Sequence, residues 1–335
     1  MSSIATSMQA WRVPAAGEPE QVMALQELPV PQPGPGQVLV EVWAGALNFA
    51  DVLLVRGQYQ ERPALPFTPG LELCGVIVAT GAGVSPHRVG ERVIGTVTLG
   101  HGALARYAVC AASDVFEAPP GLDDVHAGAL HIAYQTAWFG LYRRASLRVG
   151  EHVLVHAAAG GVGSAAVQLA VAAGAKVIGV VGSPAKAEAA RRLGCHHVVD
   201  RSTTDVREAV LHATGGRGVE VVFDPVGGEA FEVSSRVIAF EGRIVLVGFA
   251  GGSIPTPGLN HALVKNYSIL GLHWGLYRTR SPELVARCHA DLSRLASARA
   301  VLPLVSEQLR LADAVDGLRR LGEGSTIGRL VVVQG

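Results

Sequence analysis

Cysteine is scarce: Cys74, Cys110, Cys195 and Cys288 are scattered along the chain with no CxxC spacing. That argues against a disulfide framework and against a structural zinc lobe, both of which need clustered thiols. Net charge is missing too. Lys plus Arg and Asp plus Glu stand at 28 each, so neither nucleic acid nor an anionic membrane surface is an expected partner. No apolar run reads as a membrane span. The uncharged stretch Val153 to Ala175 holds His156, Gln168 and a Gly160-Gly161-Val162-Gly163 break, which suits a strand-turn-helix. The start, Met1 to Met8, is Ser-rich and has neither a basic head nor an apolar core, so it does not read as a secretion signal; Met8 is an alternative start. A cytoplasmic, reducing compartment is expected.

What is present predicts a folded protein of two domains. Hydrophobic residues make up 49% and charged residues 17% of 335 positions, more than one typical core needs. Up to about residue 130 the chain is rich in Gly, Pro and Val, with short alternating runs at Val38–Val42, Val76–Val78 and Arg92–Ile94. This reads as a mainly β domain, 1–130. Thereafter short apolar strands alternate with helical segments, the pattern of a parallel sheet covered on both faces. Strands are predicted at 152–156, 176–181, 196–199, 219–223, 243–247 and 267–271, a six-stranded doubly wound (Rossmann) sheet in a domain 131–271. Residues 272–335 are expected to return to the first domain. They would carry a helix opening at Ser281-Pro282-Glu283, with Leu284, Val285, Cys288, Leu292 and Leu295 inward, a second helix around Leu311, Val315 and Leu318, and a last strand, Arg329–Val333.

The strand Glu151–His156 runs into Ala157-Ala158-Ala159-Gly160-Gly161-Val162-Gly163 and then a helix whose inward face is Ala166, Leu169, Ala170 and Ala173. Glycines let a backbone turn tightly beside a pyrophosphate, and the amides and dipole of the helix stabilise its charge. Ala159, Gly160, Gly161 and Val162 are therefore candidate dinucleotide-binding residues. A sequence binding NAD normally places an acid at the end of the second strand for the ribose hydroxyls. Here that region reads Val180-Val181-Gly182-Ser183-Pro184-Ala185-Lys186. Ser183 suits an N-cap and Pro184 the first helical position, which puts Lys186 third, where a cation opposes the helix dipole. A 2′-phosphate beside Ser183 and Lys186 would reverse that penalty, and Arg201 after the third strand offers a second cation. NADPH is the expected cofactor. The bland alternative for each cation is a solvated surface charge.

These residues, with Asn48-Phe49-Ala50-Asp51, Gly57-Gln58-Tyr59, Pro66–Glu72, Asp224–Gly228 and Lys265–Ser268, resemble the medium-chain dehydrogenase/reductase superfamily over nearly the whole chain. Within it they are similar to the zinc-independent, zeta-crystallin-like quinone oxidoreductases. The resemblance implies a GroES-like catalytic domain beside the Rossmann domain. The zinc-dependent branch puts Cys at Asn48, His at Leu71 and Cys near Ile132; with these missing, no metal is expected. The twelve histidines offer no substitute, since His152 and His156 stand roughly 13 Å apart along a strand.

The resemblance also implies hydride transfer from NADPH to a quinone or enone, with Asn48 and Tyr59 facing nicotinamide and substrate. Tyr59 either hydrogen-bonds or protonates the substrate, or simply packs on the cofactor. Phe249, Leu272, His273 and Trp274 fall in turns that touch the nicotinamide in relatives, and Arg329 matches a residue that reaches cofactor phosphate. Aromatics form 5% of the chain, so a small enone or alkyl quinone suits it as well as a polycyclic one. Two alternatives stay open: a 2-enoyl thioester reductase, and an NADPH-binding structural or RNA-binding protein of crystallin type. Homodimerisation is expected through the edge strand near 267–271, whose backbone groups would otherwise stay open.

Overall fold

The computed structural model describes residues 4–334, so the choice of Met1 as the start lies outside the described residues. Contacts divide the chain into two units, one running through Ile132 and resuming at Leu302, the other spanning Ala133–Val301.

The first unit opens with strands β1 (Ser7–Arg12), β2 (Ala24–Pro29), β3 (Gln37–Ala46), β4 (Glu72–Thr80), β5 (Arg92–Thr96), β6 (Tyr107–Ala111) and β7 (Val115–Glu117). β1 and β2 form an antiparallel ribbon, while β3, β4, β5 and β7 pair in that order and β6 joins β3. Alternation explains the sheet. Val38, Val40 and Val42 on β3 face a core shared with Leu73, Ile77, Val93 and Val115.

The second unit holds β8 (His152–Val155), β9 (Lys176–Val181), β10 (His197–Asp200), β11 (Val219–Asp224), β12 (Ile238–Leu246) and β13 (Ser268–Gly271). All pair in parallel, in the order β10-β9-β8-β11-β12-β13. The six strands fall where the periodicity places them, the fifth being longer than expected at its N-terminal side. Their side chains bury on both faces, as Leu154, Ile178, Val199, Val222 and Ile244 illustrate. Such strands therefore read as continuous apolar runs. The chain winds outward from β8 through β9 to β10, then returns to β11 on β8's other side. The switch point thus lies between β8 and β11, where open α/β sheets bind ligands beyond their carboxyl ends.

One boundary differs from the sequence-based division. Residues 272–301, expected to return to the first domain, group with the second unit, and the return begins at Leu302. Aromatic and polar anchors hold them there. Trp274 Nε1 donates to Gln135 Oε1 at 3.1 Å, and the Phe139 and Tyr277 rings lie 4.2 Å apart. The helix Pro282–Ser297 follows, burying Val285, Cys288, Leu292 and Ala296. The amphipathic pattern identified this helix but carried no information about which core it joins. Finally β14 (Val305–Arg310) and β15 (Arg329–Val333) re-enter the first unit, β15 pairing antiparallel with β3.

Candidate active site

Because the second sheet is parallel, every residue immediately after a strand emerges at one carboxyl edge. Ala159, Gly160, Gly161 and Val162 follow β8; Ser183 and Lys186 follow β9; Arg201 follows β10; Phe249 follows β12; Leu272, His273 and Trp274 follow β13. Residues spread over more than a hundred positions are gathered on one edge by that topology.

The turn after β8 is tight. Ala157 takes a left-handed backbone at φ 49°, and its carbonyl accepts from Gly160 N at 2.8 Å. The helix Gly161–Ala172 starts at once, with Gly160 as its N-cap. A Cβ on Gly163 would stand 2.1 Å from Ala157 O, so this close approach needs glycine. The first-turn amides of such a helix have no intrahelical acceptor, leaving donors to meet an anion. Turn and helix start together fit a pyrophosphate.

At the end of β9, Ser183 Oγ accepts from Lys186 N at 3.4 Å and caps the helix Pro184–Arg192, whose first turn carries no acid. Burial, and then the neighbouring Arg201 charge, hold the Lys186 ammonium below its ordinary pKa. Arg201 itself lies along Gly182, its Nε 3.4 Å from where a Cβ would stand. Two like charges are thus held close where ribose-binding acids would otherwise stand. The carboxylate of Asp200 is turned into its own loop, accepting from Ser202 Oγ at 2.7 Å. An arriving phosphate dianion would be stabilised by both cations.

Further along the edge, Asp224 Oδ1 accepts from Val226 N and Gly227 N at 2.8 and 2.9 Å. Gly227, at φ 71°, lies under the Phe249 ring, whose Cδ1 stands 2.7 Å from a hypothetical Cβ. Leu272 N donates to Leu246 O, extending the β12–β13 ladder and fixing the turn that bears His273 and Trp274. His156, directly after β8, is buried with Nε2 2.8 Å from Ser234 Oγ. Burial lowers its pKa, the Asp224 charge opposes that shift and Arg201 adds to it.

The remaining predicted residues lie in the first unit. Tyr59, half-buried, packs against the cluster of Val13, Leu54, Val55 and Phe67. Asn48 precedes the helix Phe49–Val55, and Asp51 Oδ2 accepts from the Asn48 backbone N–H at 2.8 Å. The Asn48 side chain, at the N-cap of this helix, makes further bonds. Its Nδ2 donates to Glu72 Oε1 at 2.9 Å and to Ala46 O at 3.2 Å, while its Oδ1 accepts from Arg329 NH1 at 3.0 Å. Arg329 also pairs with Glu72 and is 3% exposed, so the residue matched to a phosphate ligand is engaged within its own unit. Burial pushes Asp51 up to about 7; the Asn48 amide opposes the shift and the Glu72 charge adds to it. Burial likewise raises Glu72, against the pull of Arg329.

Sequence reasoning favoured a loop-fixing role for Asp51 over proton transfer, and Asp51 does accept from the backbone N–H groups of Asn48 and Gly70; it did not single out Glu72 or the His156–Ser234 pair. An acid inside the apolar run Leu71-Glu72-Leu73-Cys74 is a visible signal that some cation must meet it. Its partner, 257 positions away, is not visible. At the positions that the resemblance matches to zinc ligands, the chain presents the engaged amide of Asn48 and the aliphatic Leu71, and near the third match stands Ile132, whose backbone N–H donates to Glu72 Oε2 at 2.9 Å. Among the described residues no group of three or more His, Cys, Asp or Glu is placed to hold a metal. No helix among them is long and apolar enough to cross a membrane.

Comparison with known proteins agrees with this architecture. Residues 34–120 match the alcohol dehydrogenase GroES-like domain family, and residues 161–290 match the family described as zinc-binding dehydrogenase. The chain is 36% identical over 324 residues to quinone oxidoreductase-like protein 2 of Bos taurus, covering 96% of this chain and 92% of that one. It is 34% identical over 321 residues to a phthioceranic/hydroxyphthioceranic acid synthase of Mycobacterium tuberculosis, covering 96% of this chain and 15% of the synthase. Its fold superposes on the crystal structure of Escherichia coli quinone oxidoreductase complexed with NADPH with a TM-score of 0.89, at 28% identity over 97% of this chain and 99% of that one. The chain belongs to the medium-chain dehydrogenase/reductase superfamily, in its quinone oxidoreductase-like family.

Proposed function

We propose that this chain is an NADPH-dependent oxidoreductase that reduces a quinone or another conjugated carbonyl without zinc. The observation that carries the reading is the carboxyl edge of the parallel sheet. It joins a helix-start turn too tight for a Cβ at Gly163 to a pair of adjacent cations, Lys186 and Arg201, where a ribose-binding acid would select NAD. The glycine turn would hold the pyrophosphate through Ala159–Val162, and Ser183, Lys186 and Arg201 the 2′-phosphate. Phe249, Leu272, His273 and Trp274 would shape the nicotinamide side. Bound there, NADPH supplies the hydride. Asn48 and Tyr59 are the residues proposed to face the substrate.

Absence of zinc is supported by the side chains at the ligand positions. Leu71 and Ile132 carry no donor, and both ends of the Asn48 amide are already bonded. Metal analysis finding one zinc per chain would overturn this part. A second reading, reduction of a 2-enoyl thioester, gains from the match to an acid synthase along nearly the whole chain. A homodimer through β13 gains from a run of exposed apolar side chains, Leu259, Leu263 and Val264, on the helix before that edge strand. Sedimentation as a monomer at micromolar concentration would argue against it. A reducing cytoplasmic compartment gains from four unpaired cysteines.

The deciding experiment measures NADPH oxidation across 1,4-benzoquinones, simple enones and enoyl thioesters, scored by kcat/KM. Turnover of quinones or enones supports the proposal, and a preference for enoyl thioesters moves the assignment to the second reading. Tight NADPH binding with no turnover in any class would make the chain a cofactor-binding protein without this activity.

A further inference from the structure

Arg329 carries the strongest unexplained arrangement in the first unit. Its guanidinium is buried, with NH1 on Asn48 Oδ1 and NH2 on Glu72. Its backbone is pinned as well: Arg329 N donates to Leu304 O at 2.7 Å. Gly328, at φ 58°, lies so near that carbonyl that a Cβ would stand 2.1 Å from it. Glu72 in turn accepts from Asn48 Nδ2 and from Ile132 N. Four separate chain segments therefore meet on one carboxylate and one guanidinium.

This arrangement removes a freedom from Asn48. An amide can be turned end for end with little change of shape, and only its partners decide which end carries the N–H groups. A guanidinium can only donate, so Asn48 must present Oδ1 to Arg329. The Ala46 carbonyl can only accept, so the Nδ2 protons must lie on the other side, toward Ala46 O and Glu72. Both N–H groups are spent. What remains on the Asn48 side chain is acceptor capacity at Oδ1.

We propose that Arg329 is a positioning residue that fixes the orientation of the Asn48 amide through the Glu72 pair, so that Asn48 can accept a hydrogen bond from a bound molecule but cannot donate one. The assignment rests on the proposed function insofar as Asn48 faces substrate. It has two consequences. The oxygen of a substrate carbonyl takes its hydrogen bond from a group other than Asn48. The contribution of Arg329 to NADPH affinity is small, because its charge is already matched inside the first unit.

The test compares Arg329→Met, Glu72→Gln and the double variant Glu72→Gln/Arg329→Met by thermal unfolding, NADPH Kd from fluorescence titration, solvent exchange of the Asn48 side-chain amide by NMR, and kcat. Arg329→Met leaves a buried carboxylate without its cation, so it is expected to lower Tm strongly; the double variant removes both charges and recovers most of that loss. In the double variant the Asn48 amide still lacks its guanidinium. Its protons are expected to exchange faster than in the unmodified protein, and kcat to stay at least tenfold low with NADPH Kd within threefold. If Kd rises tenfold or more in both Arg329 variants, Arg329 is a phosphate ligand and the proposal fails. If the double variant regains full kcat and full amide protection, the pair balances charge only and the proposal fails equally. Should Arg329→Met not fold, the double variant carries the comparison alone. Should no substrate be turned over, the exchange and Kd measurements still decide the assignment, while the proposed function fails separately.

Discussion

Replacing Gly163 with Ala tests the cofactor turn most directly. The new Cβ would stand 2.1 Å from the carbonyl oxygen of Ala157 and 2.8 Å from its carbon, where real Cβ contacts stay above 3.0 Å. Both sides are backbone, so no side chain can swing away. The helix Gly161–Ala172 must retreat from the turn by roughly 1 Å, stretching a normal N–H···O separation of about 2.9 Å beyond hydrogen-bond range. Each charge-assisted bond lost to a phosphate costs about 1.5–3 kcal/mol, so losing one raises the NADPH Kd roughly 10–100-fold. Overpacking costs about 1–3 kcal/mol, offset by the roughly 1 kcal/mol by which Ala outdoes Gly in a helix. Tm should therefore fall by only a few degrees. Gly160→Ala is the control, since its Cβ would stand 3.2 Å from the same oxygen and need only a small adjustment. Fluorescence titration of NADPH and circular dichroism melting of both variants read the outcome. If Gly163→Ala binds NADPH within twofold of the unmodified protein, or if the two variants lose affinity equally, the steric argument for this turn is wrong.

Three further outcomes are expected. Lys186→Ala should raise the NADPH Kd roughly 10–100-fold and leave the NADH Kd nearly unchanged, because on the proposed assignment it removes a charge-assisted contact to the 2′-phosphate alone; parallel losses for both cofactors would place Lys186 elsewhere. Asp51, pushed up from 3.8 to about 7, binds a proton more tightly folded than unfolded, so its contribution is fully present below pH 3.8 and lost as pH rises through about 7. Urea titrations should show the stability of the unmodified protein relative to Asp51→Asn falling by about 2.5 kcal/mol from pH 5 to pH 8, and a constant difference would contradict the assignment. Arg243 donates to both oxygens of Glu151 at 2.9 Å and to the carbonyl of Ala145, so Arg243→Met should destabilise the second unit by about 3 kcal/mol. Urea unfolding that shows less than 1 kcal/mol of loss would mark the pair as an ordinary surface bridge.

Much of the carboxyl edge of the parallel sheet was legible because its signals are local. Ser183-Pro184 announces a helix start, and the structure has Ser183 as the N-cap with Lys186 in the third helical position. The glycines after β8 announce a turn, and strand followed at once by helix says what kind. Sequence spacing says nothing about which buried carboxylate will meet which guanidinium. Arg329 and Asn48, matched separately to family positions, are bonded to each other across 281 residues. The helix Pro282–Ser297 shows the same limit, since amphipathicity marks a buried face but not the neighbour that buries it.

Readable from the chain alone are the periodicities, the strand-turn-helix start, the side chains Asn48 and Leu71, and a lysine in the first turn of the helix after β9, all features fixed by neighbours a few residues apart. The tertiary structure decided what depends on long-range pairing. It set the strand order that puts the switch point between β8 and β11, the grouping of 272–301 with the second unit, and the fork of Arg329 onto Asn48 and Glu72. The physical reason is one of range. Backbone preference and capping act within a turn or two of chain, whereas a buried charge is stable only beside whichever opposite charge the completed fold delivers to it.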